Sequence, residues 1–258
     1  MAQRTEQDVA RIALACLDLT SLNDGDGDAE VIALCRRAAG AHGTPAAVCV
    51  WPQLAATAVA HAPAGVRVAA VANFPDGSLD TQRAVADTAR IVQAGAQEVD
   101  VVLPYRALLA GDDAACGTLL RAVRRACEQL TLKVILETGE LRELHWMQRA
   151  ARIALAEGAD FLKTSSGKTP VSATPEAARA LLEAIAGDPR ARTSVGFKAA
   201  GGIRTVADAA RYIDLVDELL GADALKSARF RLGASALLTD IERVLGGGTA
   251  APDTNARY

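Results

Sequence analysis

The chain has 258 residues, with 28 Lys+Arg against 31 Asp+Glu for a formal charge of −3, 50% hydrophobic residues and only 3% aromatic ones. That length suits one α/β barrel burying roughly 70–75% of its unfolded surface, with no need of a metal or disulfide staple. A balanced charge without a basic run speaks against a nucleic-acid or membrane-surface partner, and scarce aromatic rings leave few platforms for stacking single-stranded bases.

A helical pattern over residues 4–15 leads into a first strand at 16–20, and 21–28 reads as a polar loop. Val31, Leu34, Cys35 and Ala38 recur at helical spacing and predict a helix over 30–41. Strands follow at 46–50, stopped by Trp51-Pro52, and at 66–71, stopped by the turn 73–77, with a short helix between them. A helix over 81–94, ended by Gly95, precedes the strand 98–102. The pattern continues with a helix over 118–130, a strand at 132–136, a helix over 143–157 ended by Gly158, and a strand at 159–163. Thr174-Pro175-Glu176 supplies a cap, a proline and an acidic first turn for a helix reaching Ile185. A strand at 194–198, a helix starting over 205–212, a strand at 229–233 and a helix over 236–244 complete the series. Eight strands separated by helices, with no linker, predict a single parallel (β/α)8 TIM barrel over 1–245 with an extra N-terminal helix. Residues 246–258, which open Gly246-Gly247-Gly248, read as a flexible tail. No G-x-G-x-x-G follows the first strand and no P-loop is present.

Five cysteines without a C-x-x-C pair argue against a disulfide framework and for a reducing, cytosolic setting. The polar N-terminus lacks the apolar core of a signal peptide, and no span suits a membrane helix.

In such a barrel the reactive groups stand at the C-terminal ends of the strands. The polar residues there are Asp18, Thr20, Asn23, Cys49, Asp100, Glu137, Thr138, Lys163 and Lys198. Lys163 and Lys198 fall on adjacent strands and so share one cavity. At a strand spacing of about 4.8 Å their amines come within roughly 6 Å, and at an effective dielectric of about 20 the repulsion is about 2.8 kcal/mol, roughly two pKa units. One amine is expected to lose its proton readily, as a Schiff-base nucleophile requires. The plainer alternative is a lysine salt-bridged to Asp100 or Glu137 with no chemical task. Asp100 shares a strand face with Glu98 and Val102, which aims a carboxylate into the barrel, either to shuttle protons beside Lys198 or as a structural ion pair.

The Gly201-Gly202 turn and Gly233-Ala234-Ser235 fit the usual phosphate position of a barrel, with Ser166, Gly167 and Lys168 closing a third side. Glycine there also has a plain reading as turn chemistry. His42, His61 and His145 make no ligand cluster, so no metal is expected, and Cys49 reads as packing. The tail has a root-mean-square reach of about 20 Å, which would bring Tyr258 over the barrel mouth as a proton relay, although most tails of this composition have no such task.

Taken together, these residues resemble the 2-deoxyribose-5-phosphate aldolase family. The likeness runs through Leu17-Asp18-Leu19-Thr20, Glu98-Val99-Asp100-Val101-Val102, Pro104-Tyr105-Arg106, Glu137-Thr138-Gly139-Glu140-Leu141, Phe161-Leu162-Lys163-Thr164-Ser165-Ser166-Gly167-Lys168, Gly196-Phe197-Lys198 and Gly233-Ala234-Ser235. It implies a class I aldolase that reversibly splits 2-deoxyribose 5-phosphate into acetaldehyde and glyceraldehyde 3-phosphate in deoxyribonucleoside catabolism, without metal or cofactor. By position Lys163 matches the Schiff-base lysine, Lys198 the lysine that perturbs it, and Asp100 the acid/base partner. Asp18, Thr20, Asn23, Ser166 and Lys168 match the substrate-binding positions, and Gly201, Gly202 and Ser235 the phosphate site. Ala199 replaces a common proline and Ala236 a second serine, whose missing hydroxyl would weaken phosphate binding; Ser166, where threonine is common, keeps its hydroxyl. The expected partners are a small sugar phosphate and aldehydes, with a homodimer as the assembly. The rival readings are a Schiff-base barrel aldolase with another donor and a non-catalytic sugar-phosphate-binding barrel.

Overall fold

A computed structural model describes residues 4–248. The predicted strands form β1 (Leu17–Thr20), β2 (Ala47–Val50), β3 (Arg67–Ala72), β4 (Glu98–Val102), β5 (Thr131–Ile135), β6 (Phe161–Lys163), β7 (Gly196–Ala200) and β8 (Phe230–Ala234). All neighbours pair in parallel, and β8 closes on β1 to complete a barrel in sequence order. Parallel strands need crossover segments, and the helices between them supply these while covering the outer face. Each strand therefore buries both faces, and β2, β4, β7 and β8 are buried at every residue.

The N-terminal helix Glu6–Ala15 begins at a capping box in which Thr5 and Asp8 exchange side-chain and backbone hydrogen bonds. It packs in the outer ring against the helices Val206–Leu220 and Leu237–Leu245. Two boundaries differ informatively from the sequence reading. The helix expected over 118–130 runs Asp113–Ala126, because Asp112 caps the amide of Ala115 and sets its start upstream of the apolar pattern. The seventh strand begins at Gly196 rather than at 194, since a 3-10 turn Ala191–Thr193 occupies the approach. Short helices at Tyr105–Leu109 and Thr138–Leu141, too brief to show a period, were not expected. His42 sits in a turn. Tyr258 and most of the tail lie outside the described residues. Among the described residues no helix is long and apolar enough to cross a membrane, and all five cysteines are unpaired and buried.

The barrel lumen departs from the usual stacked layers of branched apolar side chains. Asp18, Glu98, Asp100, Lys133, Lys163, Lys198 and Arg231 all lie on strands and are buried, filling the axis with charge. Isolated charges there would be strongly unfavourable, so the fold depends on each meeting an opposite partner.

Candidate active site

Strand register decides which charges meet. Lys163 and Lys198 are partners across β6 and β7, and Asp100 and Lys133 are partners across β4 and β5. Asp100 stands at the junction. Its Oδ2 accepts hydrogen bonds from Lys163 Nζ at 2.8 Å and Lys198 Nζ at 2.8 Å, while its Oδ1 accepts from Lys133 Nζ at 2.7 Å. Lys198 Nζ also donates to Asp18 Oδ2 at 2.5 Å. Below this level Lys133 reaches Glu98 Oε2 at 2.5 Å, and Arg231 bridges Asp18 Oδ1 at 2.6 Å and Glu98 Oε1 at 2.8 Å. Gly233 makes room for the arrangement, because a Cβ there would stand 3.0 Å from Lys198 Cε.

The two lysines are thus held on one oxygen, and their environments drive them apart. Burial pushes the Lys163 amine below the usual lysine range; Asp100 opposes that, and the Lys198 charge adds to it. Burial acts on Lys198 in the same sense but is outweighed by Asp100 and Asp18, which hold it well above the usual value. This corrects the physical reason given from sequence. Desolvation is the main cause of the easily lost proton, with lysine–lysine repulsion a smaller contribution, and both carboxylates fix Lys198 as the charged member.

Lys163 lines a cavity of about 510 Å³ at the C-terminal mouth of the barrel. Thr20, Asn23, Ser166, Gly201, Gly202 and Ser235, all singled out in the sequence, line the same cavity, together with Arg204, which was not. Asp18 lies outside that lining with no exposed surface, where it holds Lys198 and Arg231 and cannot reach a ligand in the mouth directly. Lys168 also stands outside the lining; its Nζ meets Asp24 Oδ1 at 3.5 Å, linking the loops that follow β6 and β1. Thr20 Oγ1 donates to the Asp18 carbonyl at 2.9 Å. Asn23 is tied into its own loop, its amide donating to Asp26 Oδ1 at 3.1 Å and its carbonyl accepting from Trp51 Nε1 at 3.0 Å.

The rim is glycine-rich for steric reasons. Gly201 has φ 84°, and a Cβ on it would fall 2.5 Å from the Ser172 side chain. The helix Leu237–Leu245 starts beside Ser235 with no side-chain cap from Ala236, and its Thr239 amide donates to the Ala236 carbonyl at 3.2 Å. On the opposite rim Glu137, in a left-handed conformation at φ 55°, accepts from the Ser166 amide at 3.2 Å and from Thr169 Oγ1 at 3.2 Å. It shapes the loop carrying Ser166; burial raises its pKa, and those hydrogen bonds partly offset the rise. Cys49 is fully buried on β2, where burial and the Asp100 charge push its thiol up.

Lys133, Glu98 and Arg231 were not singled out for chemistry. A signal existed: each is a charged residue inside a mostly apolar barrel strand, and Glu98 shares the face of Asp100. The cluster also predicts an acid limit. Asp18, Glu98 and Asp100 all have folded-state pKa values below their ordinary ones, because the lysines and Arg231 outweigh burial. Their stabilisation is fully present above the unfolded carboxylate values of about 4 and is lost as pH falls through the lower folded values. The melting temperature should therefore fall with acidification below pH about 4 in circular-dichroism melts. A stability flat down to pH about 2 would contradict the paired cluster.

A closed parallel barrel whose mouth holds a buried lysine, a shared carboxylate and a glycine-rich rim carries its candidate site where barrel enzymes carry theirs. The profile of the DeoC/LacD family aldolases matches residues 12–239, and the chain belongs to that family. It is similar in structure to a candidate deoxyribose-phosphate aldolase from Toxoplasma gondii, at 26% identity and TM-score 0.85 over 95% of this chain and 97% of the other. It is also similar to a candidate deoxyribose-phosphate aldolase from Coccidioides immitis, at 29% identity and TM-score 0.79 over 92% and 86%. The deoxyribose phosphate aldolase of Aeropyrum pernix, described as tetrameric, shares the fold at 23% identity and TM-score 0.72 over 93% and 92%.

Proposed function

We propose that this aldolase reversibly cleaves 2-deoxy-D-ribose 5-phosphate to acetaldehyde and D-glyceraldehyde 3-phosphate through a Schiff base on Lys163, in deoxyribonucleoside catabolism. The observation that carries this reading is Lys163 itself, the lysine that lines the mouth cavity and whose burial favours the neutral amine. In the synthetic direction that amine attacks the acetaldehyde carbonyl, and loss of water from the carbinolamine gives an iminium. A proton then leaves the methyl carbon, its electrons moving toward nitrogen to form an enamine. Asp100, with Lys198 holding its carboxylate and a water relaying, takes that proton and gives it up to the alkoxide that forms on the acceptor in the next step. The enamine carbon attacks the aldehyde of the phosphate-anchored acceptor, forming the carbon–carbon bond, and hydrolysis of the product iminium restores the amine. Cleavage reverses each step. Lys198 stays an ammonium throughout and stabilises the Asp100 carboxylate beside the reacting carbon.

The phosphate fits the rim of Gly201, Gly202 and Ser235, where Arg204 adds a positive charge. Thr20, Asn23 and Ser166 face the sugar chain, and Lys168 stands beside it on the loop after β6. Sugar phosphate and aldehydes are the proposed partners in a reducing cytosol, and a homodimer is the proposed assembly, to be read by light scattering.

Borohydride reduction in the presence of acetaldehyde, followed by peptide mass spectrometry, is the deciding test. Two added carbons on Lys163 are expected; label on Lys198 would reverse the assignment, and no label would favour a non-catalytic binding barrel. A donor panel with acetone and dihydroxyacetone phosphate separates this reading from a Schiff-base aldolase with another donor. Gly201→Ala, which must displace Ser172 and strain a positive φ, should raise KM for the phosphorylated substrate at least about tenfold while acetaldehyde trapping is unchanged. Equal losses in both assays would remove the phosphate from this rim.

A further inference from the structure

Three carboxylates and four cations are buried together in the lumen among the described residues: Asp18, Glu98 and Asp100 against Lys133, Lys163, Lys198 and Arg231. With Lys163 neutral, three charges of each sign remain. Lys133 has no exposed surface and donates to Asp100 Oδ1 at 2.7 Å, on the side of the carboxylate opposite the oxygen shared by Lys163 and Lys198. Its other close partner is Glu98, which Arg231 and the half-exposed Arg67 also hold, Arg67 Nε at 2.6 Å.

We propose that Lys133 is a positioning residue: by occupying the second oxygen of Asp100 it keeps that carboxylate neutralised without the help of Lys163, and so leaves the Lys163 amine free of its proton. The inference rests on the aldolase reading of Lys163 and adds a residue to it. The groups facing Lys163 are Asp100 on β4, Lys198 on β7, Cys49 on β2 and Glu137 after β5. Those facing Lys133 are Glu98 and Asp100 on β4, Asp18 on β1, Lys198 on β7 and Cys49 on β2. Lys198 is shared with Asp18 and Lys133 with Glu98, but Glu98 is also held by both Arg231 and Arg67 and Lys163 is the nucleophile, so Lys133 is the cation whose removal leaves Asp100 drawing its missing charge from Lys163. Directionally, Lys133 is held above the usual lysine value, with Asp100 and Glu98 outweighing burial, so it is charged wherever Lys163 is titrating.

The test follows the pH dependence of acetaldehyde–borohydride trapping at Lys163, read by mass spectrometry, in the full chain. Lys133→Gln keeps an N–H donor and removes the charge. Its acid limb should move up by about one pH unit, making trapping about tenfold slower on the acid side, because below the pKa the neutral fraction falls tenfold per unit. Glu98→Gln leaves Lys133 in place and removes one of its anions, so its limb should move toward acid. Limbs at the wild-type position in both variants, with only the amplitude reduced, would make Lys133 a packing residue and overturn the inference. Should Lys133→Gln fail to fold, the limb of Glu98→Gln decides alone: an acid shift supports the inference and an unmoved limb overturns it. A wild-type enzyme that forms no adduct on Lys163 would overturn the aldolase reading and this inference with it.

Discussion

Lys163→Met is expected to lose at least about 10⁴-fold in kcat for aldol cleavage and to give no borohydride-trapped adduct, because among the described residues no other lysine lines the mouth cavity. The same variant should melt higher than the wild type. A lysine whose folded-state pKa lies below its unfolded value binds fewer protons when folded, so stability rises with pH through that window and Lys163 is a net cost at pH 7. Methionine removes the cost, and Asp100 keeps Lys133 and Lys198 as donors. Inactivation together with a raised melting temperature separates a chemical role from a structural one. A variant that melts lower would place Lys163 among the structural pairs, and one that keeps activity would end the Schiff-base reading.

Asp100→Asn should have the opposite signature in stability. The substitution preserves shape but leaves Asp18 and Glu98 to face Lys133, Lys198 and Arg231, and an uncompensated buried charge costs about 3–5 kcal/mol. For a chain of this size that corresponds to a melting temperature lower by roughly 6–20 °C. Activity should fall about 10²–10⁴-fold, the range for a lost general acid/base group. The distribution of that loss matters more than its size. Asp100 raises the Lys163 pKa, so removing it leaves the nucleophile at least as neutral, and trapping of acetaldehyde should persist. Deuterium exchange at the methyl carbon, followed by NMR, should collapse. Exchange at the wild-type rate would assign the proton transfer to another group.

Much of this was legible without coordinates because the barrel repeats one local unit. Gly95 and Gly158, the Thr174-Pro175 start and the stop at Trp51-Pro52 are local signals, and each falls within two residues of an observed element end. The placement of Lys163, Lys198 and Asp100 in one cluster followed from strand order and the period of two along β4, both of which survive errors of one or two residues at strand ends. Asp112, which starts its helix upstream of the apolar repeat, marks where local periodicity ran out.

By itself the sequence determined the barrel, the strand carrying each charged side chain, and the placing of two lysines on neighbouring strands with the Asp100 carboxylate turned into the same barrel, since these depend on chain order and local periodicity. The resemblance named Lys163 as the nucleophile, but only tertiary structure gave the physical reason that burial lowers its pKa while that of Lys198 is raised. That difference depends on Asp18 and Asp100 both reaching Lys198, on Lys133 and Arg231 balancing the lower carboxylates, and on the burial of Lys163 at the mouth. Electrostatic energy inside a barrel depends on distances and on exclusion of water across strands far apart in the chain, and no spacing along one strand encodes either.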